Sequence, residues 1–211
     1  MPIPVDRAPG ASAVEFLDAE GKVLHTASIT VRDAHFPSQN VVMGKALQEL
    51  KASPEEAALV STFTHTVSDQ RLWAEPFGRP VPGCMTSPYG VHRLHNGKPT
   101  GNYHLGLDQR AAAGTPIRTI TGGTVKLART LTLQGSMVGV DHGQGVTSVY
   151  MHMSKFAVAE GTQVKAGDVV GYVGSSGRST GPHLHWGVQV NGIPVNPAQW
   201  MKFERCGAPK R

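Results

Sequence analysis

The stretch GPHLHWGVQV, residues 181–190, alternates polar and apolar side chains. Side chains of a β-strand point alternately to its two faces, so Leu184 and Trp186 share one face while His183 and His185 share the other. Two histidines at this spacing have Cα atoms about 6.5–7 Å apart, so both rings can approach one metal ion. We predict a strand with one face on a core and binding or catalytic histidines on the other. A structural histidine pair in a polar groove is the alternative.

Two further polar groups stand upstream of this strand. His104 and Asp108 flank Gly106, and a fully extended chain would separate their Cα atoms by about 13 Å, near the limit for sharing one ion. Gly106 permits a bend or bulge that shortens this distance. In Val146–Met153 the alternation places His152 on the same non-apolar face as Tyr150, which either lines a cleft or has a structural role.

The composition favours a mainly β fold. The 211 residues include 25 glycines and 15 prolines, the apolar runs are short and rich in valine and threonine, and turn signals recur about every ten residues. The pattern predicts two strands within residues 14–24 around a turn at Gly21 and a third at Ala27–Val31. Further strands are predicted at residues 123–128, 136–140, 146–153 and 169–173.

One helix stands out before the proline-rich segment 73–88. Ser53 has the form of an N-cap, Pro54 suits the first helical position, and Glu56 completes a capping box, so we predict a helix to about His65. The division that follows is a small β-rich accessory domain over residues 1–75, ending in the helix, and a second domain over residues 76–205.

Charge and cysteine content narrow the function classes. The formal net charge of +5 suits a polyanionic surface, but the 20 lysines and arginines are scattered rather than striped, which argues against nucleic acid. No apolar run reaches membrane-spanning length. Cys84 and Cys206 are too few for a disulfide scaffold or a cysteine-based zinc site. They flank the second predicted domain, and the sequence leaves open whether they pair.

Taken together, the motifs around these residues resemble the lysostaphin-type zinc endopeptidases, peptidase family M23, also called LytM-domain proteins. The similarity covers about residues 77–200. The motifs that carry it, in chain order, are Thr86-Ser87-Pro88-Tyr89-Gly90, His104-Leu105-Gly106-Leu107-Asp108, Gly114-Thr115-Pro116, Gly122-Gly123-Thr124-Val125, Tyr150-Met151-His152, Val164-Lys165-Ala166-Gly167-Asp168, Gly177-Arg178-Ser179-Thr180-Gly181-Pro182-His183-Leu184-His185 and Val195-Asn196-Pro197.

This resemblance implies a fold and a site. The fold is mainly β (α+β overall): an antiparallel β-sheet domain of the duplicated hybrid motif kind, preceded by the small β-rich accessory domain and its connecting helix. His104, Asp108 and His185 match the ligands of one Zn²⁺ per chain, and His152 and His183 match the catalytic histidines. One of that pair accepts a proton from an attacking water and the other stabilises the oxyanion. The resemblance does not say which does which.

The implied function is hydrolysis of peptide cross-links in bacterial peptidoglycan, at D-Ala to meso-diaminopimelate bonds. Glycyl-glycine cleavage, a catalytically silent LytM-type activator of a cell-wall amidase, and a plain wall-binding module are the alternatives. The expected partner is the peptidoglycan stem peptide, with no nucleic acid and no stable membrane span, for a monomer that is periplasmic or secreted after removal of a signal peptide. The other histidines are predicted to serve surface or turn roles: His25, His35, His65, His92, His95 and His142.

Overall fold

A computed structural model of the chain describes residues 1–201, 203 and 205–207. Within these residues the strands are β1 (Gly10–Leu17), β2 (Val23–Val31), β3 (Ser38–Val41), β4 (Met85–Ser87), β5 (His92–His95), β6 (Lys98–Tyr103), β7 (Leu107–Arg110), β8 (Pro116–Arg118), β9 (Gly123–Leu131), β10 (Gly135–Gly143), β11 (Val146–Phe156), β12 (Gln163–Val164), β13 (Val169–Val173), β14 (His183–Val190) and β15 (Ile193–Val195). The helices are α1 (Lys45–Glu49) and α2 (Pro54–Thr64), and a 3₁₀ turn spans Pro197–Gln199.

Ten strands form one sheet that dominates the molecule. Its main path runs β12-β9-β10-β11-β14-β7-β4; β13 pairs with β11 and β8, and β15 pairs with β14. Every pairing between these named strands is antiparallel. The mainly β class and the antiparallel sheet are therefore confirmed, and the predicted strands of this region lie within β9, β10, β11 and β13.

Strand β14 has the two faces that its sequence predicts. Leu184, Trp186 and Val188 are fully buried in the main hydrophobic core. The indole nitrogen of Trp186 donates to Gln109 Oε1 at 2.9 Å, so the one polar atom of that ring is satisfied and ties β14 to β7. The strand is thus held rigidly from its apolar side, which leaves the histidines of its other side in fixed positions.

The predicted alternation of β11 is wrong at His152. The pairing of β10 with β11 shifts register between the pairs Val138↔Tyr150 and Ser136↔Met153, and His152 has φ 60°, in the left-handed region. Such a bulge adds a residue to one strand and re-aims its side chain. Tyr150 and Met153 are both in the core, whereas strict alternation would put them on opposite faces. His152 is therefore separated from Tyr150 and turned away from the core.

The amino-terminal region forms a hairpin, two helices and an edge strand. The hairpin is β1 with β2, so the two strands expected on either side of residue 26 are one continuous strand. The capping box of α2 is confirmed: Ser53 Oγ accepts from the Glu56 amide at 3.2 Å, and Glu56 Oε2 accepts from the Ser53 amide at 3.1 Å. The boundary at residue 75 stays a prediction; β3 pairs in parallel with β5 across it.

Cys84 and Cys206 are joined by a disulfide, with Cα atoms 5.2 Å apart and a sequence separation of 122. The loop that it closes contains every strand of the large sheet, from β4 to β15. None of the described helices is both long enough and apolar enough to cross a lipid bilayer.

Candidate metal centre and active-site groove

Three candidate ligand atoms converge at one end of the large sheet. His104 Nε2, Asp108 Oδ1 and His185 Nδ1 lie within 2.9–3.0 Å of one another. A tetrahedral zinc ion with bonds of about 2.0–2.1 Å separates its ligand atoms by about 3.3 Å. The triangle is therefore of the size that one such ion requires.

Neighbouring strands bring these residues together. His185 is directly opposite Asp108 in the β14–β7 pairing and opposite Met151 in the β11–β14 pairing. His104 precedes β7, and Gly106 lets the chain pass close to β14: a Cβ atom there would lie 2.8 Å from His185 Nε2. A residue larger than glycine at 106 would push into the ligand ring.

The donor atoms have the chemistry of a cation site. His104 Nδ1 lies 2.8 Å from the carbonyl oxygen of Pro88, which can only accept, so Nδ1 carries the hydrogen. In the neutral ring Nε2 then presents a lone pair, and it faces a carboxylate oxygen and a second imidazole nitrogen. Two imidazole nitrogens and one carboxylate oxygen are a donor set that zinc accepts, with a fourth position left over. The residues present therefore fit the metal that the resemblance implies.

Arg93 orients the carboxylate of Asp108. Its Nη2 donates to Asp108 Oδ2 at 2.9 Å and its Nη1 donates to Gln39 Oε1 at 2.6 Å, which leaves Oδ1 directed at the histidines. Burial by itself would raise the pKa of Asp108, but His104 and His185 outweigh it and hold the pKa of this carboxyl well below its usual range. Asp108 is therefore an anion in the site.

Two further histidines stand beside the triangle. The rings of His152 and His183 have centroids 5.0 Å apart, and His183 Nε2 lies 3.9 Å from Asp108 Oδ1. His152 Nδ1 donates to the carbonyl of Ser176 and His183 Nδ1 to the carbonyl of Gly181, each at 2.8 Å. These bonds leave the Nε2 lone pair of each neutral ring for a substrate or water.

Burial lowers the pKa of one histidine of the second pair and of one histidine of the ligand triangle. Burial, together with the nearby His185 and His183, lowers the pKa of His152 to about 3. This ring is therefore neutral at pH 7. Burial also lowers the pKa of His185, which keeps that ring in the form that binds metal.

All five residues open into a groove of about 720 Å³. Its lining includes residues 178–182 of the loop before β14, and residues 39–43 with Arg93 and His95 from β5. The groove is open enough for an extended polymer segment to reach the candidate ligands.

The prediction for His142 is wrong. It is fully buried, with Nδ1 2.7 Å from the carbonyl oxygen of Gly122 and Nε2 2.8 Å from Ser148 Oγ. Tyr150 is also fully buried and has the structural role that the sequence left open: its hydroxyl accepts from the Ile120 amide at 2.9 Å. The residues next to His142 in sequence do not show whether it lies in a turn or in the core. Its partners, Gly122 and Ser148, come from other parts of the chain and meet its ring only in the folded sheet.

Sequence reasoning missed Arg93, Gln39 and His95 as parts of the groove. Gln39 lies 54 residues before Arg93 in sequence, and the contact between them depends on the β3–β5 pairing. No local motif around Gln39 signals this contact. The one available signal for a groove residue was Arg93, a charged residue shortly before the candidate ligand His104.

Comparisons with known proteins place the carboxyl-terminal part of the chain in a known group. The family model Peptidase family M23 matches residues 102–197. The crystal structure of a Pseudomonas aeruginosa protein assigned to peptidase M23 superposes with a TM-score of 0.73 and is 32% identical, covering 94% of this chain and 75% of that one.

Two curated relatives match over a shorter region. The DD-carboxypeptidase/endopeptidase Mpg of Neisseria meningitidis is 43% identical over 113 residues, which are 54% of this chain and 26% of the relative. The peptidoglycan DD-endopeptidase ShyA of Vibrio cholerae is 37% identical over 112 residues, which are 53% of this chain and 26% of the relative. The matched region thus spans about a quarter of the length of each curated relative.

Proposed function

Because the chain belongs to peptidase family M23, we propose that it is a zinc-dependent endopeptidase that hydrolyses peptide cross-links of bacterial peptidoglycan. One observation carries the proposal: three ligand atoms within 3.0 Å of one another lie in an open groove beside two imidazoles whose Nε2 atoms form no hydrogen bond with a described residue. A structural zinc site would enclose its ion with four protein ligands.

Each residue has a proposed role. His104, Asp108 and His185 hold a single Zn²⁺, which supplies Lewis acidity that activates water and polarises a peptide carbonyl. Arg93 binds Oδ2 of Asp108 and keeps Oδ1 turned towards His104 and His185. The catalytic pair is His152 and His183. One, as the neutral ring, accepts the proton of the attacking water at Nε2; the other, in its protonated form, donates its Nε2 hydrogen to the oxygen on which negative charge develops.

The carbonyls of Ser176 and Gly181 support proton exchange at Nε2 of both rings. Each fixes the Nδ1 hydrogen of its histidine, so the ring does not need to change tautomer before Nε2 exchanges a proton with the substrate. Proton transfer to the leaving amine from the same pair would complete the hydrolysis, with one water consumed and one amine and one carboxylate released.

The names of the relatives support the substrate. Mpg and ShyA are DD-peptidases, ShyA of peptidoglycan, so we propose D-Ala to meso-diaminopimelate links of the stem peptide as the bond cleaved. The net charge of +5 is suited to an anionic wall polymer. A periplasmic or secreted site of action is supported by these names and by the Cys84–Cys206 disulfide, a bond typical of oxidising compartments. We propose that the chain acts as a monomer.

The catalytically silent activator of an amidase is disfavoured. That function needs no metal ligands and no proton-transferring pair, yet three side chains have clustered donor atoms and all five line one groove. Glycyl-glycine cleavage uses the same chemistry and differs only in the substrate.

Digestion of purified sacculi tests the proposal. The zinc-loaded protein is incubated with sacculi from a diaminopimelate-containing wall, with and without a chelator, and the released fragments are weighed by mass spectrometry. We expect cross-linked dimers to disappear and uncross-linked stem peptides to appear, with no release in chelator and recovery when zinc is restored. Intact dimers in the zinc-loaded sample would overturn the proposal, and release of glycine-terminated fragments alone from a glycine-bridged wall would identify the other bond.

A further inference from the structure

The groove is unevenly charged. Among the described residues that line it, Asp108 is the one carboxylate, and Arg93 is already paired with it. His95 and Arg178 also line the groove, and both arginines act on His95 strongly enough to lower its pKa, after the larger effect of burial. The described lining of the groove therefore holds two arginines and one carboxylate, which leaves one positive charge uncompensated beside the candidate metal centre.

The guanidinium of Arg178 is the unpaired charge in this group. The residue is half-buried, and no hydrogen bond or ion pair of its side chain is formed with any described residue. Arginine carries five N–H donors and is almost never withdrawn from water without a partner. An unpartnered guanidinium facing a groove is typical of a site for a carboxylate or phosphate.

Backbone contacts fix the position of Arg178 next to the catalytic pair. Its amide donates to the carbonyl of Leu133 at 2.9 Å. The carbonyl of Ser176 accepts from His152 on one side of it in sequence, and Ser179 Oγ lies 3.3 Å from His183 Nδ1 on the other. The arginine therefore belongs to the same short loop segment that orients both catalytic histidines.

We propose that Arg178 binds a free carboxylate of the substrate on the amine side of the scissile bond. This inference rests on the proposed function. In a link from D-Ala to the side-chain amine of meso-diaminopimelate, the carbon that bears the scissile nitrogen also bears a carboxylate. The carboxyl carbon is two bonds from the reacting nitrogen, so the group that binds this carboxylate has to lie in the same groove as the catalytic pair, as Arg178 does. A glycyl-glycine bridge has no such group.

The subsite would select the substrate rather than carry out the chemistry. A bidentate arginine–carboxylate pair fixes the orientation of the amine-side residue, so loss of the pair is expected in KM and in kcat/KM rather than in metal content. The same geometry predicts that a lysine introduced by Arg178→Lys replaces the arginine only in part, because an ammonium lacks the planar pair of donors.

A chemical double-mutant cycle tests the proposal. Wild type, Arg178→Gln and Arg178→Lys are assayed on a purified cross-linked dimer and on the same dimer with the amine-side carboxylate amidated. Arg129→Gln is the control: Arg129 is an exposed residue of β9 that pairs with Glu160, and its substitution removes the same charge outside the groove. Zinc content and unfolding midpoint are measured for every variant.

We expect the gain in kcat/KM to require both the Arg178 side chain and the free carboxylate of the dimer. Amidation should lower kcat/KM of wild type by about 10- to 100-fold, the size of one charged hydrogen-bonded pair. Arg178→Gln should lose the same factor on the free acid and show no further loss on the amide, Arg178→Lys should be intermediate, and Arg129→Gln should behave as wild type. Equal losses of Arg178→Gln on both dimers, or no loss on either, would overturn the subsite.

Binding separates this inference from the proposed function. Calorimetric titration of each protein with the two dimers, with His152→Ala added so that the dimers are not cleaved, measures the same contrast in binding alone. If wild type binds the free acid better than the amide through Arg178 but releases no product, the endopeptidase proposal fails and the subsite stands. If turnover is normal and the binding contrast is absent, the subsite fails and the endopeptidase proposal stands.

Discussion

Two groups of buried or partly buried polar side chains each have at least one member on strand β11. They differ in whether their hydrogen-bonding atoms have partners. The groove cluster consists of His104, Asp108, His152, His183 and His185. The buried cluster consists of Thr119, His142, Ser148 and Tyr150. In the buried cluster, both ring nitrogens of His142 have protein partners, at Gly122 and Ser148. In the groove cluster, the Nε2 atoms of His152 and His183 have no such partner among the described residues.

The difference separates function from structure. Both clusters hold a histidine whose pKa is lowered by burial, to about 4 for His142 and about 3 for His152, so a lowered pKa does not distinguish them. The clusters differ in their unpaired acceptors: in the groove cluster, the Nε2 lone pairs of His152 and His183 have no donor among the described residues. A polar group withdrawn from water without a partner carries a free-energy penalty, and such groups persist where a ligand satisfies them.

The largest effect is expected from the three candidate ligands. Asp108→Ala or His185→Ala removes one of the three donor atoms, so we expect zinc affinity to fall by more than about 100-fold and peptidase activity to disappear with it. Metal content after gel filtration and release of fragments from sacculi measure the two losses. His25→Ala, an exposed histidine on β2, is the matched control and should retain both. Full zinc binding by Asp108→Ala would exclude this residue as a ligand.

The second-largest effect is expected from the two histidines of the groove cluster that are not candidate ligands. His152→Ala and His183→Ala should each keep zinc, because neither supplies one of the three clustered donor atoms, yet lose about 10²- to 10⁴-fold in kcat. Steady-state kinetics on a purified dimer, beside metal analysis of the same sample, measures both quantities. If His152→Ala digested sacculi at the wild-type rate, the role proposed for His152 would be wrong.

His142 of the buried cluster should make the free energy of unfolding depend on pH. Burial, opposed by the Gly122 carbonyl and Asp141, lowers the pKa of His142 from 6.5 to about 4. In the unfolded chain His142 binds a proton near pH 6.5, whereas in the folded chain it does so only near pH 4. The unfolded state therefore binds the proton first as the pH falls. The free energy of unfolding keeps its full value above pH 6.5 and decreases as the pH drops to 4. The loss is at most about 3 kcal/mol in the free energy of unfolding.

Urea unfolding between pH 7.5 and 4 tests this dependence. Other groups also titrate in this range, so the informative quantity is the difference in slope between wild type and His142→Gln. The variant should be less stable at pH 7.5 and should lose less stability on acidification. Identical slopes would show that His142 does not bind a proton differently in the two states.

The sequence predicted the groove cluster better than the buried one. The alternation of β14 is a local property, so it correctly divided His183 and His185 from Leu184 and Trp186. The family motifs then grouped the remaining residues, and the capping box of α2 followed from Ser53 and Glu56 alone. In each case the information lay within a few residues or in a pattern of residues that recurs in relatives.

The failures have a common physical cause. The bulge that re-aims His152 arises from the pairing of β10 with β11, and the contact between Gln39 and Arg93 from the pairing of β3 with β5. His142 was misjudged because its partners come from separate parts of the sheet. These contacts are made between paired strands rather than along one strand, so the periodicity of a single strand does not register them.

The smallest expected effect tests whether the two clusters are independent. The hydroxyl of Tyr150 accepts from the Ile120 amide at 2.9 Å and lies 3.0 Å from Ser148 Oγ. Tyr150→Phe leaves that buried amide without an acceptor while the ring still fills its place in the core, so we expect a loss of about 1–2 kcal/mol in the free energy of unfolding. Urea unfolding measures this loss, and kcat on the dimer should stay within about twofold of wild type, since the ring lies on the core side of the bulge that turns His152 into the groove. A large fall in kcat at unchanged stability would mean that Tyr150 acts on the catalytic pair, and the division between a satisfied and an unsatisfied cluster would then fail.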